Sequence, residues 1–464
     1  HMMKECATRK FRTLPGASQT AYWNRFGDWY GAHGQYLHAL DAYRMSANNN
    51  AALAIIEKDA GNLLSAIAPE DLLSRLDACP AEVLMRHPTA LLVLMRRLFT
   101  WRQIPKMLQM KALLTRAIAE SPDMTAEERG NLLGECDLIM SFLSYNDITE
   151  MSRLHRSASR QMTRPAVTIQ AGSWTFGSPS VLMMYYRAPG ELQKELHEMN
   201  ECMPHYYRIT NGHGLGAELV MAAEASFMQG RLHETEIGLE RARTKIAGSG
   251  QENMALCCDF LARRLSLFTD IGQRAKLEKR RERLLAHHNV SWLNLWNAAA
   301  AYHHALLGST DSIPEAYRRH RLFTVRTLAP GKPMIEMIEN QVYLAQGEYA
   351  HVIGRSEGLL TQCEAMHYAL VALHIRIQTA AAYEMLGKHG EARALLERAL
   401  ADAEPDGFAL PFAENFHWLR ELLPQCTDGA SAELTGRILE LGARYEARLT
   451  PQPEEPPQPE ALMA

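Results

Sequence analysis

The sequence predicts an all-α chain, an α-α superhelix of tetratricopeptide-like helix pairs. Three observations predict it: helical amphipathic periodicity over most of the length, a scarcity of strand patterns, and a glycine that recurs at a period near 39. The 464 residues, 47% hydrophobic and 22% charged, have the profile of a globular protein and suit a stacked array better than one ordinary core.

The clearest unit is residues 371–403, VALHIRIQTAAAYEMLGKHGEARALLERALADA, whose apolar residues recur at three and four positions. Tyr383, Gly387, Ala392, Leu396 and Ala399 fit the second half of a tetratricopeptide-type unit. The glycine permits the reversal between two helices, and the small residue five positions later lets them approach closely. Gly347 lies 40 residues before Gly387, Gly308 lies 39 before Gly347, and Gly230 lies 78 before Gly308, or twice 39. Near the start, Tyr30, Gly34 and Ala39 repeat the same offsets. Phe142, Asn146, Met151 and Ala158 give a looser copy with Asn in the turn.

Taken in chain order, residues 1–20 form a tail or the end of a preceding region, and 21–160 form the first repeats. Residues 161–218 form an irregular, aromatic-rich segment; its stretch 163–190 holds three prolines and several glycines, which disfavour a continuous helix. Residues 219–448 form the later repeats, and 449–464 a Pro- and Glu-rich disordered tail.

Bulk properties exclude several function classes. The net charge of −4 gives no general pull towards nucleic acid, and no apolar run approaches the ~20 residues that span a bilayer. No secretory signal is legible, and eight scattered cysteines without a CxxC pair read as reduced thiols of a cytoplasmic protein. The basic run Arg274–Arg283 carries interleaved Glu278 and Glu282 and reads as a solvated helix face. No catalytic constellation stands out: GxSxG and HExxH are both missing. The pairs His287-His288 and His303-His304 place adjacent rings about 100° apart on a helix, and Cys363 with His367 lacks further ligands, so no metal site is expected.

Several blocks resemble the MalT-like class of LuxR-type bacterial transcription regulators. YWNRFGDWYGAHGQYLHALDAY, from Tyr22, is similar to the passage from winged-helix region to first repeats, and LLERALADAEPDGFALPF, 395–412, to the last-repeat motif before a DNA-binding domain. LGECDLIMSFLSYNDITEMSRLHRSAS, SWTFGSPSVLMMYYRAPGEL and MNECMPHYYRITNGHGLGAELVMAAEA resemble one subgroup of these regulators. The resemblance implies a superhelical sensor within a modular regulator that self-associates at full length. The chain departs from that plan at both ends. It has no GxxxxGK[ST] phosphate loop, and a proline-rich tail stands after Thr450 where a DNA-binding domain is expected. It therefore reads as an excised sensor region or a stand-alone relative, without a cofactor of its own and without specific nucleic-acid binding.

The expected ligand site spans the broken segment and the stretch just after it: Trp174, Phe176, Tyr185, Tyr186 and Arg187, then His205, Tyr206, Tyr207, His213 and Glu218. Aromatic rings supply area, while hydroxyls, imidazoles and a guanidinium fix orientation. The same rings also suit the packing of an irregular connector. The expected function is small-molecule effector sensing that controls the parent regulator allosterically, not catalysis. The alternative is a tetratricopeptide-like scaffold that grips a protein or peptide partner.

Overall fold

The structure, a computed structural model, describes residues 2–169, 177–270, 274–286, 289–322, 329–426 and 430–449. Among the described residues every regular element is an α-helix or a short 3-10 turn, with no strand. The chain divides into two compact units. The first holds residues 1–145, 150–170 and 205–211, and the second holds 146–149, 171–204 and 212–464.

The helix reversals explain the glycine period. Gly34, Gly230, Gly308, Gly347 and Gly387 all adopt positive φ, between 67° and 76°. The residue after each donates its N–H to the carbonyl five positions back: Gln35 to Tyr30, Arg231 to Ser226, Ser309 to His304, Glu348 to Tyr343 and Lys388 to Tyr383, at 2.9–3.0 Å. This bond satisfies carbonyls that a helix end otherwise leaves unpaired. Position five after each glycine is buried in every copy, as Ala39, Thr235, Ile313, Val352 and Ala392.

Two turns depart from the sequence reading. Arg102 holds the left-handed position between helices Pro88–Thr100 and Ile104–Glu120, so this pair carries no glycine signal. At the looser copy the positive-φ residue is Tyr145, φ 49° and ψ −93°, outside the left-handed helical region, and Asn146 is a buried amide beyond it.

The first unit is held by a core of Leu, Ile, Met and Val. Leu91, Leu92, Leu94, Met95 and Leu98 on helix Pro88–Thr100 are fully buried against helices on both sides. In the second unit the first helices of successive pairs lie side by side: Ala217–Met228, Glu252–Leu265, Val290–Leu306, Lys332–Ala345 and Ala369–Met385. Helices Glu252–Leu265 and Arg274–Ala286 supply the repeat implied between Gly230 and Gly308. After Gly308 come the 3-10 turn Thr310–Ser312, Pro314 and the single turn Glu315–Arg318.

Residues 408–416 lie against the inner side of this helix row. Leu410–Ala413 packs on Ala217–Met228 and Ala369–Met385, and Phe416–Leu419 on Ala369–Met385. Glu414 forms a bidentate ion pair with Arg264 at 2.7 and 2.8 Å and accepts the Tyr302 hydroxyl at 2.9 Å. Gln341 donates to Asn415 at 3.0 Å. Packed helix axes stand ~8–10 Å apart. A row of five can reach one short segment only by curving around it, as a superhelix does. The C-terminal helix Ala432–Leu449 covers the segment from its other side.

Candidate functional site

A broken backbone segment must satisfy its amides without a helix ladder. In the second unit, buried carboxylates do this for residues 182–192. Glu224 accepts the Leu182 N–H at 2.7 Å, Glu195 accepts Arg187 N–H at 2.9 Å, and Asp406 accepts Gly190 N–H at 2.6 Å. The Tyr186 hydroxyl donates to the same Asp406 oxygen at 2.6 Å. Asn146 donates its amide to the carbonyls of Met184, Met366 and His367, tying the broken segment to the turn before Ala369.

Burial sets the protonation of these acids. Desolvation pushes Glu195 up to about 8, against a lowering by its backbone hydrogen bond from Arg187. Desolvation raises Glu224 to about 7 against the hydrogen bond from Leu182. One oxygen of each, Glu195 Oε2 and Glu224 Oε1, is buried without a hydrogen-bond partner.

The segment so anchored forms one wall of a cleft of about 590 Å³, within the ~300–1,000 Å³ range of small-ligand sites. Tyr186, Arg187 and Pro189 line it from the broken segment. Helices Tyr349–Met366, Ala369–Met385 and His389–Ala403 supply Leu360, Cys363, Leu373, Arg376, Tyr383 and Arg398, among others. Arg376 pairs with Asp402 at 2.8 Å, Arg398 reaches the other Asp402 oxygen at 3.3 Å, and Arg187 pairs with Asp147 at 2.5 Å. Burial pushes the Cys363 thiol up to about 12, so it is an inert lining group. The cleft thus offers apolar area, three tyrosines and three guanidiniums, a set suited to binding and orienting a small molecule.

The sequence-predicted residues do not all meet here. Tyr186 and Arg187 line the cleft, while Tyr185 is buried on the short helix Leu182–Tyr185. His213 is buried and Glu218 pairs with Lys245, both in the second unit and outside the cleft lining. His205, Tyr206 and Tyr207 belong to the first unit, where the Tyr206 ring lies 4.7 Å from His155. Trp174 and Phe176 lie outside the described residues, as does the pair His287-His288. His303 and His304 are edge to face at 5.5 Å, and no group of three His, Cys, Asp or Glu among the described residues could hold a metal. No described helix is long and apolar enough to cross a membrane.

Sequence reasoning missed Arg376, Tyr383 as a lining group, Asp402 and Asp406. Arg376 had a legible signal, a cation inside the apolar run VALHIRIQTAAA. Glu224 had the same kind of signal in MAAEASFM. Asp406 had none, because the sequence places it 220 residues from Tyr186. No protein-family model matches the chain, and no curated protein matches it significantly.

Proposed function

We propose that this chain is the effector-sensing region of a cytoplasmic LuxR-type transcription regulator of the MalT-like class, and that a small molecule binds it and biases the parent protein. The observation that carries this reading is the cleft itself. It joins the non-repeat wall, Tyr186–Pro189, to the faces of two repeats, so an occupant would bridge separate elements of the unit. Differential affinity for two arrangements of those walls is what allosteric control requires.

The rival reading, a scaffold gripping a peptide along the inner helix row, is weakened by residues 408–416. They fill that row with buried side chains and a buried ion pair. Cys363 and His367 both line the cleft, but burial pushes the thiol up to about 12, which favours a binding role over catalysis.

A thermal-shift screen of the chain against small metabolites and aromatic acids tests the proposal, because a ligand of the folded state raises the unfolding midpoint by mass action. The expected result is a dose-dependent rise that Tyr383→Ala abolishes. A ligand whose effect is untouched by Tyr383→Ala and Arg187→Gln places the site elsewhere and overturns the assignment.

A further inference from the structure

We propose that the cleft recognises a small organic molecule through a carboxylate, and that Arg376 receives this carboxylate in place of Asp402. The proposal rests on the reading of the cleft as an effector site.

The argument starts from how the arginines are engaged. A guanidinium is a planar fork of five N–H donors that fits a carboxylate edge with two parallel bonds. Arg376, whose side chain is 25% exposed, gives only one terminal nitrogen to Asp402. Asp402, 15% exposed, is at the same time approached by Arg398 Nε. One carboxylate is therefore shared between two guanidiniums, and neither is fully used. On the other wall, Arg187 gives one terminal nitrogen to Asp147, and its Nε is buried with no acceptor.

That Arg187 edge is sealed from solvent, so the fork available to a ligand in the cleft is that of Arg376, which lines the cleft and is partly exposed. Arg187 and Arg376 are matched one to one by Asp147 and Asp402, while Arg398, 69% exposed, adds a screened charge. The further acids of the lining, Glu357 and Glu364, are solvent-exposed, where water and salt screen them. Beside the cations lie Leu360, Leu373 and Tyr383, which suit a compact apolar or aromatic body. Asp402 shows where a carboxylate sits against Arg376. A ligand carboxylate that used both edges of the Arg376 fork would displace Asp402 towards Arg398, which already holds its other oxygen. Because Asp402 lies in the last turn of helix His389–Ala403, that exchange moves the helix end leading to Asp406, the residue that anchors Tyr186 and Gly190.

The test uses matched probes and the whole chain. Benzoate and benzamide, phenylacetate and phenylacetamide, and hexanoate and hexanamide are titrated by calorimetry into the wild type, Arg376→Gln and Asp402→Asn. We expect at least one carboxylate to bind while its amide does not. Arg376→Gln then weakens it by roughly tenfold or more, and Asp402→Asn, which removes the internal competitor, tightens it several-fold. The two variants thus move in opposite directions, which a shared folding defect cannot imitate. Equal binding of an acid and its amide, with Tyr383→Ala weakening both, overturns the carboxylate assignment and leaves the effector site standing. Loss of binding in Asp402→Asn equal to that in Arg376→Gln also overturns it. If no member of either series binds, both the carboxylate assignment and the reading it rests on fail for this cleft.

Discussion

The two units solve the same packing problem with different interiors. The core of the first unit is mainly a continuous cluster of Leu, Ile, Met and Val contributed by helix pairs, with Glu135, Ser141 and His155 among its deeply buried polar side chains. The interior of the second holds Glu224, Arg264, Gln341, His374, Gln378, Glu414 and Asn415, all fully or almost fully buried. Arg264 is enclosed by the rings of Phe227, Phe260 and Tyr302, 5.0–5.4 Å from its guanidinium carbon. Regular helix pairs satisfy their own backbone and need only apolar filling. Where non-repeat chain is accommodated, as at 182–192 and 408–416, side chains must satisfy it, and buried charge is the result.

The largest expected effect comes from breaking the buried pair. Glu414→Ala leaves the Arg264 charge unpaired and should destabilise the second unit by about 3–5 kcal/mol, read from the urea midpoint. The joint substitution Arg264→Met with Glu414→Leu should recover most of that loss, since an apolar replacement of such a pair is often near neutral. A double variant as unstable as Glu414→Ala would show that the pair itself, and not the stranded charge, carries the stability.

In the first unit the corresponding experiment is a cavity. Leu91→Ala should cost about 2–5 kcal/mol, and no polar rescue should exist for it. If Leu91→Met were as damaging as Leu91→Ala, the apolar account of that core would fail.

One buried group in each unit responds to pH in the opposite sense to the other. Glu195 binds its proton more tightly folded than unfolded, so its contribution is complete at acid pH and is lost as pH rises towards about 8. Glu195→Gln should flatten the decline in stability of the second unit between about pH 5 and 8. In the first unit, burial and the nearby His205 depress His155 to about 3, so its contribution is present above pH ~6.5 and is lost as pH falls. An unchanged pH profile in Glu195→Gln would mean that this carboxyl is not protonated in the fold.

The smallest effect concerns the turns. Gly387→Ala forces a side chain into φ 72° and should destabilise by about 1 kcal/mol. Gly354→Ala, inside helix Tyr349–Met366 with open space around the added carbon, should stabilise by about 0.5–1 kcal/mol. Equal effects at both sites would remove the structural basis of the glycine period.

These comparisons also show what the sequence made legible. Turn glycines and the small buried residue after them repeat because every helix pair faces the same local geometry, so a period near 39 was visible in one chain. The pair joined by Arg102 was not visible, because its left-handed turn uses an ordinary residue. For the site, the broken segment pointed to Tyr186 and Arg187 through prolines and aromatics. The partners that complete the cleft, Arg376 and Asp402, lie on regular repeats and look like any amphipathic helix. Nothing local marks Asp402, and only the cation inside the apolar run VALHIRIQTAAA marks Arg376, because their role comes from tertiary proximity to residues about two hundred positions away. Likewise, Glu414 reads as one more surface acid in PFAENF until Arg264 is placed beside it.

The central claim is that a small molecule acts on the second unit at the cleft and not along its inner helix row. Hydrogen–deuterium exchange of the whole chain, with and without the most stabilising compound from the thermal screen, tests it most directly. The account predicts added protection at 186–190 and 366–379, with little change at 408–416, which is already closed. Protection confined to 408–416 and the helices around it, or to 88–132 in the first unit, would contradict it.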